Sequence, residues 1–204
     1  MQENQTDADS RADEKDSLQL RREAKAFIWE TLKIVIISLA IIIPIRYFVV
    51  QPFFVRGASM QPNFQNNDYI LIDEISYRFK SPSRGEVVVF RSPEDTAQFF
   101  IKRIIGLPGE TIQIRDGQVR IFNEQEPQGI VLSETYLPDN LQTDGVITVK
   151  VDPNEYFVMG DNRPNSSDSR RWGPVNTTLI TGRVLVRVWP LSDFGHPGLP
   201  TYNF

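Results

Sequence analysis

Residues 99–122, FFIKRIIGLPGETIQIRDGQVRIF, contain the clearest strand pattern of this chain. Three runs rich in Val, Ile and Phe lie at 99–105, 111–115 and 118–122, and Pro108-Gly109 and Asp116-Gly117 separate them. Short runs of β-branched and aromatic residues between such dipeptides are typical of antiparallel strands joined by turns. The stretch therefore predicts three consecutive β-strands.

Five more runs of the same kind lie on either side of this stretch, at 69–75, 86–90, 146–150, 155–159 and 183–189. No convincing amphipathic helix lies among them. We therefore predict a mainly β, antiparallel β-sheet domain over residues 51–204. Residues 123–145 are polar and rich in turn-forming residues, which indicates a small loop or cap inserted in that domain.

The composition of the chain excludes several classes of site. Its 204 residues suffice for one domain with appendages. Proteins that bind nucleic acid neutralise its phosphates with positive charge, and this chain has a net charge of −4, so we expect no nucleic-acid partner. The chain has no Cys and one His, His196, which removes thiol catalysis, disulfides and any site that needs two histidines. We expect no metal site and no cofactor.

Upstream of the β runs, residues 34–45, IVIISLAIIIPI, are almost continuously apolar. This run alone is shorter than the ~20 residues that span a bilayer. Counted from residue 26, with Trp29 and Lys33 at one end and Arg46, Tyr47 and Phe48 at the other, the segment is long enough. We predict a retained transmembrane anchor over residues 26–50 rather than a cleaved signal peptide, because no A-x-A cleavage site follows the run.

The charges beside this anchor predict its orientation. Basic residues crowd its N-terminal side, at Arg21, Arg22, Lys25 and Lys33, against Arg46 and Arg56 after it. By the positive-inside rule, the N-terminus is cytoplasmic and the β domain extracytoplasmic. Residues 2–17 carry no aromatic or branched aliphatic side chain, so residues 1–25 are predicted to be a disordered cytoplasmic tail.

Two segments of the β domain contain a candidate reactive side chain. In FFVRGASMQP (53–62), Ser59 follows two small residues, so its hydroxyl could lie on an uncrowded turn, although an ordinary strand-to-turn serine has the same surroundings. In residues 99–105, Lys102 shares a strand face with Phe100 and Ile104, while Arg103 points to the other face. Lys102 is either a desolvated amine with a lowered pKa or an edge lysine that discourages aggregation.

A third segment, GDNRPNSSDSRRWGP (160–174), is a loop whose carboxylates, hydroxyls and guanidinium groups either fix one another or face solvent. Since histidine and cysteine are so scarce, a serine with a lysine base is the simplest nucleophile pair the chain can form, and such pairs are a known variant of the serine hydrolase site. A Ser/His/Asp triad would need His196, whose FGHPG surroundings indicate a flexible turn.

These motifs, in this order, resemble those of the type I signal peptidases, the membrane-bound endopeptidases of bacteria and organelles that remove signal peptides from exported preproteins. The resemblance extends from the apolar segment to Trp189 and rests on GASMQP (57–62), DYILIDE (68–74), RGEVVVF (84–90), FIKRIIGLPGE (100–110) and GDNRPNSSDSRRWGPV (160–175). A single anchor is similar to the arrangement of Gram-positive, cyanobacterial and organellar members. The resemblance implies a membrane-anchored serine endopeptidase with a mainly β catalytic domain.

The resemblance also implies roles for individual residues. Ser59 would be the nucleophile, and Lys102 the general base that later returns the proton to the leaving amine. Ser166 would orient Lys102, while Asp168 and Arg170 would brace the loop that carries Ser166.

Three further positions match the family's pattern or depart from it. Arg103 and Asp161 occupy matching positions, for which we expect a structural role. Gly57 is a departure, because the best-known relatives, which have two spans, carry a Ser there whose hydroxyl helps to bind the oxyanion. In this chain backbone N–H groups, chiefly that of Ser59, would replace it.

The same similarity implies shallow apolar pockets for the small residues at the −3 and −1 positions of signal peptides. Their lining would be Phe53, Val55, Met60, Phe100 and Ile101. Strands at 53–57 and 99–102 could hold the extended peptide between them. The implied partners are exported preproteins and the lipid bilayer, in the plasma membrane or the thylakoid membrane.

Two other functions stay open at this stage. One is a catalytically inactive, membrane-anchored β domain that binds envelope proteins. The other is a Ser/Lys self-cleaving protease, which would need a DNA-binding head and a cleavable linker, and residues 1–25 offer neither.

Overall fold

The computed structural model describes residues 25–43, 50–139 and 141–203, in two compact units whose boundary follows residue 47. The first unit contains helix α1 (Lys25–Ile43), which is exposed and mostly apolar. Its 19 residues extend over about 28 Å, so by length and composition it could cross a membrane. Residues 44–49 of the predicted anchor, with Arg46, Tyr47 and Phe48, and tail residues 1–24, with Arg21 and Arg22, lie outside the described residues, and residue 50 belongs to a strand.

The described part of the second unit is built mainly from short strands. These are β1 (Val50–Phe54), β2 (Tyr69–Asp73), β3 (Val87–Arg91), β4 (Phe99–Gly106), β5 (Thr111–Arg115), β6 (Gln118–Phe122), β7 (Ile130–Val131), β8 (Ile147–Lys150), β9 (Glu155–Met159), β10 (Val175–Asn176) and β11 (Ile180–Trp189). Its helical segments are α2 (Ser169–Trp172) and 3₁₀ turns at Ser76–Arg78, Arg163–Asn165, Thr177–Leu179 and Leu191–Asp193.

The strands form two antiparallel sheets, a larger one in the order β1-β2-β11-β3-β4-β9-β10 and a smaller one in the order β7-β6-β5-β8. The rings of Phe53 in β1 and Phe99 in β4 pack edge to face with their centroids 5.2 Å apart. Three strands nevertheless separate β1 from β4 in the sheet order. The larger sheet therefore curls until β1 approaches β4.

Strand β4 lies at the centre of the hydrophobic core. Residues inside the curled sheet form one core cluster: Val55, Met60, Phe64, Ile70, Ile72, Val87, Val89, Ile101 and Val184. A second cluster joins the two sheets, with Ile105 and Phe157 packed against Ile112 and Ile114. Every residue of β4 from Ile101 to Gly106 is buried, so this strand is covered on both faces, and its two charged residues, Lys102 and Arg103, are buried as well.

The observed strands confirm the predicted fold class, a mainly β antiparallel domain preceded by an apolar helix. All eight predicted runs coincide with strands to within three residues at either end. Strand β1 ends at Phe54 rather than extending over 53–57, because the chain turns at Gly57, whose φ is +92°. Strand β7, which pairs with β6, lies within 123–145, and its two residues are too few to produce a periodic pattern.

Candidate active site

Ser59 lies on a turn that hydrogen bonds hold in place directly after β1. The N–H of Val55 donates to the carbonyl of Asp68 (2.9 Å), and the N–H of Asn67 donates to the carbonyl of Val55 (2.8 Å). The N–H of Gly57 donates to Asn66 Oδ1 (2.9 Å). The positive φ of Gly57 allows this reversal, which presents Ser59 at the open side of the turn.

Lys102 reaches Ser59 from β4, across 43 positions of sequence. Its Nζ donates to Ser59 Oγ at 2.8 Å and to the carbonyl of Ile101 at 3.0 Å. Its ammonium group lies 5.5 Å from the centre of the Phe100 ring, and the residue is only 4% exposed. The prediction that Lys102 is flanked by apolar groups on its strand therefore agrees with its observed surroundings.

Burial lowers the pKa of Lys102 from its ordinary value of 10.5 to about 8. The carboxylates of Asp168 and Asp161 act in the opposite direction, because a nearby negative charge favours the protonated amine. Desolvation outweighs them. The amine is therefore half neutral near pH 8 and can accept a proton from a hydroxyl 2.8 Å away.

The buried Asp168 and the partly buried Arg170 form an ion pair inside the 160–172 loop. Arg170 donates from Nε to Asp168 Oδ1 (2.8 Å) and from Nη2 to Asp168 Oδ2 (2.9 Å). The same Nη2 donates to the carbonyl of Arg163 (2.6 Å). Asp168 also accepts the N–H of Gly160 (3.0 Å) and caps α2, so this pair closes the loop on itself.

Ser166 lies beside Ser59, but no hydrogen bond joins it to Lys102. Among the described residues its Oγ is buried and has no partner. A Cβ added to Gly160 would lie 2.2 Å from Ser166 Oγ and 2.4 Å from the carbonyl oxygen of Ser59, so only glycine fits between them. The predicted orientation of Lys102 by Ser166 stays a prediction.

Two more buried ion pairs hold the start of the loop. Arg103 donates to Asp161 through Nε (2.9 Å) and Nη2 (2.7 Å), which agrees with a structural role. The completely buried Arg163 pairs with Glu134. Sequence reasoning missed this second pair, because Glu134 lies in the polar 123–145 segment and nothing local distinguishes it from a solvated glutamate.

An apolar groove with a volume of about 470 Å³ contains both Ser59 and Lys102. Four of the five predicted pocket residues line it, namely Phe53, Val55, Phe100 and Ile101. The predicted set did not contain the other lining residues, which are Phe54, Arg56, Gly57, Ala58, Ile70, Val89, Phe99, Asn165 and Ser167. Several of these neighbour the predicted residues in sequence.

The fifth residue, Met60, is not part of this lining, so its predicted place in a substrate pocket stays a prediction. Its side chain is 1% exposed and does not line the groove. It packs instead in the core cluster with Phe64 and Ile72, because the turn at Ser59 directs the next side chain inward. His196 is exposed and is also absent from the groove lining.

Two strand edges border the groove. β1 is an edge strand of the larger sheet. The first half of β4, Phe99–Lys102, pairs with β3 on one side, and its other side has no strand partner among the described residues, because pairing with β9 begins only at Arg103. Among the described residues, the N–H of Ser59 also has no acceptor. The groove thus combines a hydroxyl, a buried amine, a free N–H and strand edges that an extended peptide could join.

Comparison with known proteins identifies one family along most of the chain. The family model described as signal peptidase, peptidase S26, matches residues 28–189. The chain is 34% identical over 183 residues to the probable signal peptidase I-1 of Synechocystis sp., covering 86% of this chain and 90% of that protein. It is 37% identical over 187 residues to the signal peptidase I of Leptolyngbya laminosa, covering 87% and 88%.

One solved structure is also similar in sequence. A signal peptidase I from Enterococcus faecalis V583 is 35% identical, with a TM-score of 0.43, and the match covers 51% of this chain and 97% of that one.

Proposed function

Since the chain belongs to the signal peptidase family, peptidase S26, we propose that it is a membrane-anchored serine endopeptidase that removes N-terminal signal peptides from exported preproteins. Ser59 is the nucleophile and Lys102 the general base. One observation carries this proposal: a buried amine with a lowered pKa donates a hydrogen bond of 2.8 Å to a serine hydroxyl in an open groove.

Acylation begins when the neutral amine of Lys102 takes the Ser59 proton as Oγ attacks the carbonyl carbon before the cleaved bond. The carbonyl electron pair moves to oxygen, which the Ser59 N–H stabilises. When the intermediate collapses, the C–N bond breaks and Lys102 gives its proton to the leaving amine. The signal peptide is then held as an ester on Ser59.

Deacylation repeats these steps with water. Lys102, neutral again, removes a proton from a water molecule that attacks the ester carbon. Collapse of the second tetrahedral intermediate breaks the C–O bond, and Lys102 returns the proton to Ser59 Oγ. Ser166 orients Lys102 in this cycle, while Asp168 and Arg170 brace the loop that carries Ser166.

The substrate binds as an extended strand between β1 and β4, with small residues at −3 and −1 in shallow pockets. The support is the groove lined by Phe53, Val55, Phe100 and Ile101, beside edges of β1 and β4 that have no strand partner within the described part of the chain.

The molecule is a single-pass membrane protein. A cytoplasmic tail (1–25) and an anchor (26–50) precede an extracytoplasmic catalytic domain (51–204) that has its insertion at about 123–145. The support is the apolar 19-residue helix α1 and the excess of basic residues on its N-terminal side. The membrane is the plasma membrane or the thylakoid membrane.

The test is cleavage of a preprotein with Ala at −3 and −1 by the detergent-solubilised full chain. The parent is expected to cleave after the −1 residue, and Ser59→Ala to lose all measurable activity. Ser192→Ala, which alters an exposed serine in the 3₁₀ turn Leu191–Asp193, is the control and should retain full activity.

Two other outcomes would contradict the proposal. A folded parent that cleaves no preprotein would favour an inactive anchored domain. A parent that cleaves only its own chain would favour a self-cleaving protease.

A further inference from the structure

Asn162 makes two hydrogen bonds to the turn that carries Ser59. Its side-chain Nδ2 donates to the carbonyl oxygen of Ala58 at 3.0 Å, across 104 positions of sequence. Its backbone N–H donates to the carbonyl oxygen of Ser59, also at 3.0 Å. Asn162 therefore holds the carbonyl groups of two consecutive residues, the second of which is the proposed nucleophile.

The side-chain bond acts on the peptide group that contains the Ser59 N–H. The Ala58 carbonyl and the Ser59 N–H belong to one planar amide, so fixing the oxygen also fixes the direction of the N–H. Donation to the oxygen polarises the amide and makes its N–H a stronger donor. The Ala58 oxygen also accepts the N–H of Gln61 (3.2 Å), whereas the Ser59 N–H has no acceptor among the described residues.

Asn162 is itself firmly held. Its neighbours Asp161 and Arg163 are at most 1% exposed, and each lies in an ion pair, with Arg103 and Glu134 respectively. The side chain of Asn165 donates to Asn162 Oδ1 at 3.3 Å, which directs the amide nitrogen toward Ala58. The donor that reaches the nucleophile turn therefore projects from a backbone with little freedom.

We propose that Asn162 is a positioning residue for the oxyanion site: its side-chain amide aims the Ser59 N–H at the oxygen that becomes negative in the tetrahedral intermediate. The inference rests on the proposed function. Gly57 offers no hydroxyl at this site, so the backbone donor carries a larger share of the developing charge. Asn162 neither lines the groove nor bonds to Lys102, so its contribution belongs to the transition state rather than to substrate binding.

The experiment compares Asn162→Ala and Asn162→Asp with the parent, using the detergent-solubilised full chain and a preprotein. Loss of one oxyanion donor lowers kcat by about 10²- to 10³-fold, and loss of its alignment lowers kcat by less. We therefore expect the kcat of both variants to fall at least about 10-fold, while KM stays within about twofold of the parent's value. The aspartate variant should be the slower, because it turns a carboxylate oxygen toward the Ala58 oxygen. In Asn162→Ala the pH midpoint of kcat/KM should stay at the parent's value, because Lys102 keeps its charged surroundings, whereas the added carboxylate of Asn162→Asp should move the midpoint upward.

Asn176→Ala is the matched control, since its side chain accepts from Thr178 N (3.0 Å) and Oγ1 (2.8 Å) in a turn outside the groove. All rates are measured well below each variant's unfolding midpoint, so a lower kcat does not reflect lost folded protein. The inference is overturned if the Asn162 variants match the control in kcat, if KM rises while kcat is retained, or if the pH midpoint of Asn162→Ala shifts with kcat. A parent that does not cleave, or a Ser59→Ala variant that does, would instead refute the proposed function.

Discussion

Lys102 governs the pH dependence of the proposed reaction. The amine accepts a proton only when neutral, and burial lowers its pKa to about 8. We therefore expect kcat/KM for a preprotein to rise with pH to a plateau, with a midpoint near pH 8, as measured by initial rates between pH 6 and about 10. A midpoint close to 10.5, the ordinary value for lysine, would contradict a desolvated base.

Replacing the Lys102 amine by a guanidinium group tests whether Lys102 acts as a base or only as a positive charge. Arginine stays protonated at every pH at which the protein is folded, so Lys102→Arg should be as inactive as Lys102→Ala, although it keeps the positive charge. Circular dichroism should show that both variants remain folded, and the assay is the same preprotein cleavage. Substantial turnover by Lys102→Arg would remove Lys102 from the role of base.

The lowered pKa of Lys102 also has a cost in stability. Between its folded pKa of about 8 and its unfolded value of 10.5, the unfolded chain holds more protons, so stability rises with pH across this window. Below pH 8 the buried amine is protonated, and its desolvation lowers the free energy of unfolding by the full amount, about 3 kcal/mol. Lys102→Met should therefore raise the free energy of unfolding at pH 7 by up to that amount, and the gain should fade by about pH 10.5.

Denaturant unfolding of the full chain in detergent measures this effect. The control is Lys150→Met, because Lys150 is exposed and the same loss of charge there should leave stability within about 0.5 kcal/mol. A Lys102→Met variant less stable than the parent at pH 7 would show that the amine's hydrogen bonds outweigh its desolvation.

Strand β4 places two neighbouring cations on opposite sides, Lys102 toward Ser59 and Arg103 toward Asp161. Because Arg103 and Asp161 are both buried, removing one partner leaves an unpaired charge. We expect Arg103→Ala to lower the free energy of unfolding by about 3 to 5 kcal/mol. Arg115→Ala is the control, because Arg115 forms an exposed ion pair, and it should change the free energy of unfolding by less than about 1 kcal/mol. An equally small change in Arg103→Ala would show that the buried pair does not stabilise the fold.

The groove between β1 and β4 limits the substrate's side chains. In an extended peptide, alternate residues point the same way, so in the proposed binding mode the −1 and −3 side chains would enter the groove while the −2 side chain would point out of it. A preprotein with Phe at −1 should lose most of its kcat/KM, because a large ring displaces the bond from Ser59. Phe at −2 is the matched control, and equal cleavage of the two substrates would contradict the pocket assignment.

At the scale of the whole molecule, the excess of basic residues before the anchor predicts which side of the membrane the β domain occupies. Proteinase K added to intact spheroplasts should digest the β domain, including the polar stretch 127–144, and leave the N-terminal tail protected. Antibody tags at the two ends of the chain report which fragment survives. Protection of 127–144 together with loss of the tail would reverse the predicted orientation.

Local patterns in the sequence were sufficient for the fold class and for the identity of the two candidate reactive residues. Strand periodicity and turn dipeptides act over a few residues, which is why the runs at 99–105, 111–115 and 118–122 coincide with β4, β5 and β6. The scarcity of His and Cys is also visible without a structure, and it favours a serine with a lysine base, such as Ser59 and Lys102. The family resemblance rested on the same short motifs.

Which residues meet depends on the tertiary structure. The 2.8 Å contact of Lys102 with Ser59 depends on the curl of the larger sheet, as does the burial that lowers the lysine pKa. The inward position of Met60 and the bonds of Asn162 to the Ser59 turn likewise depend on packing between distant segments. Periodicity and turn signals act over a few residues, whereas burial, charge pairing and hydrogen bonding depend on neighbours that are tens of positions away in the chain.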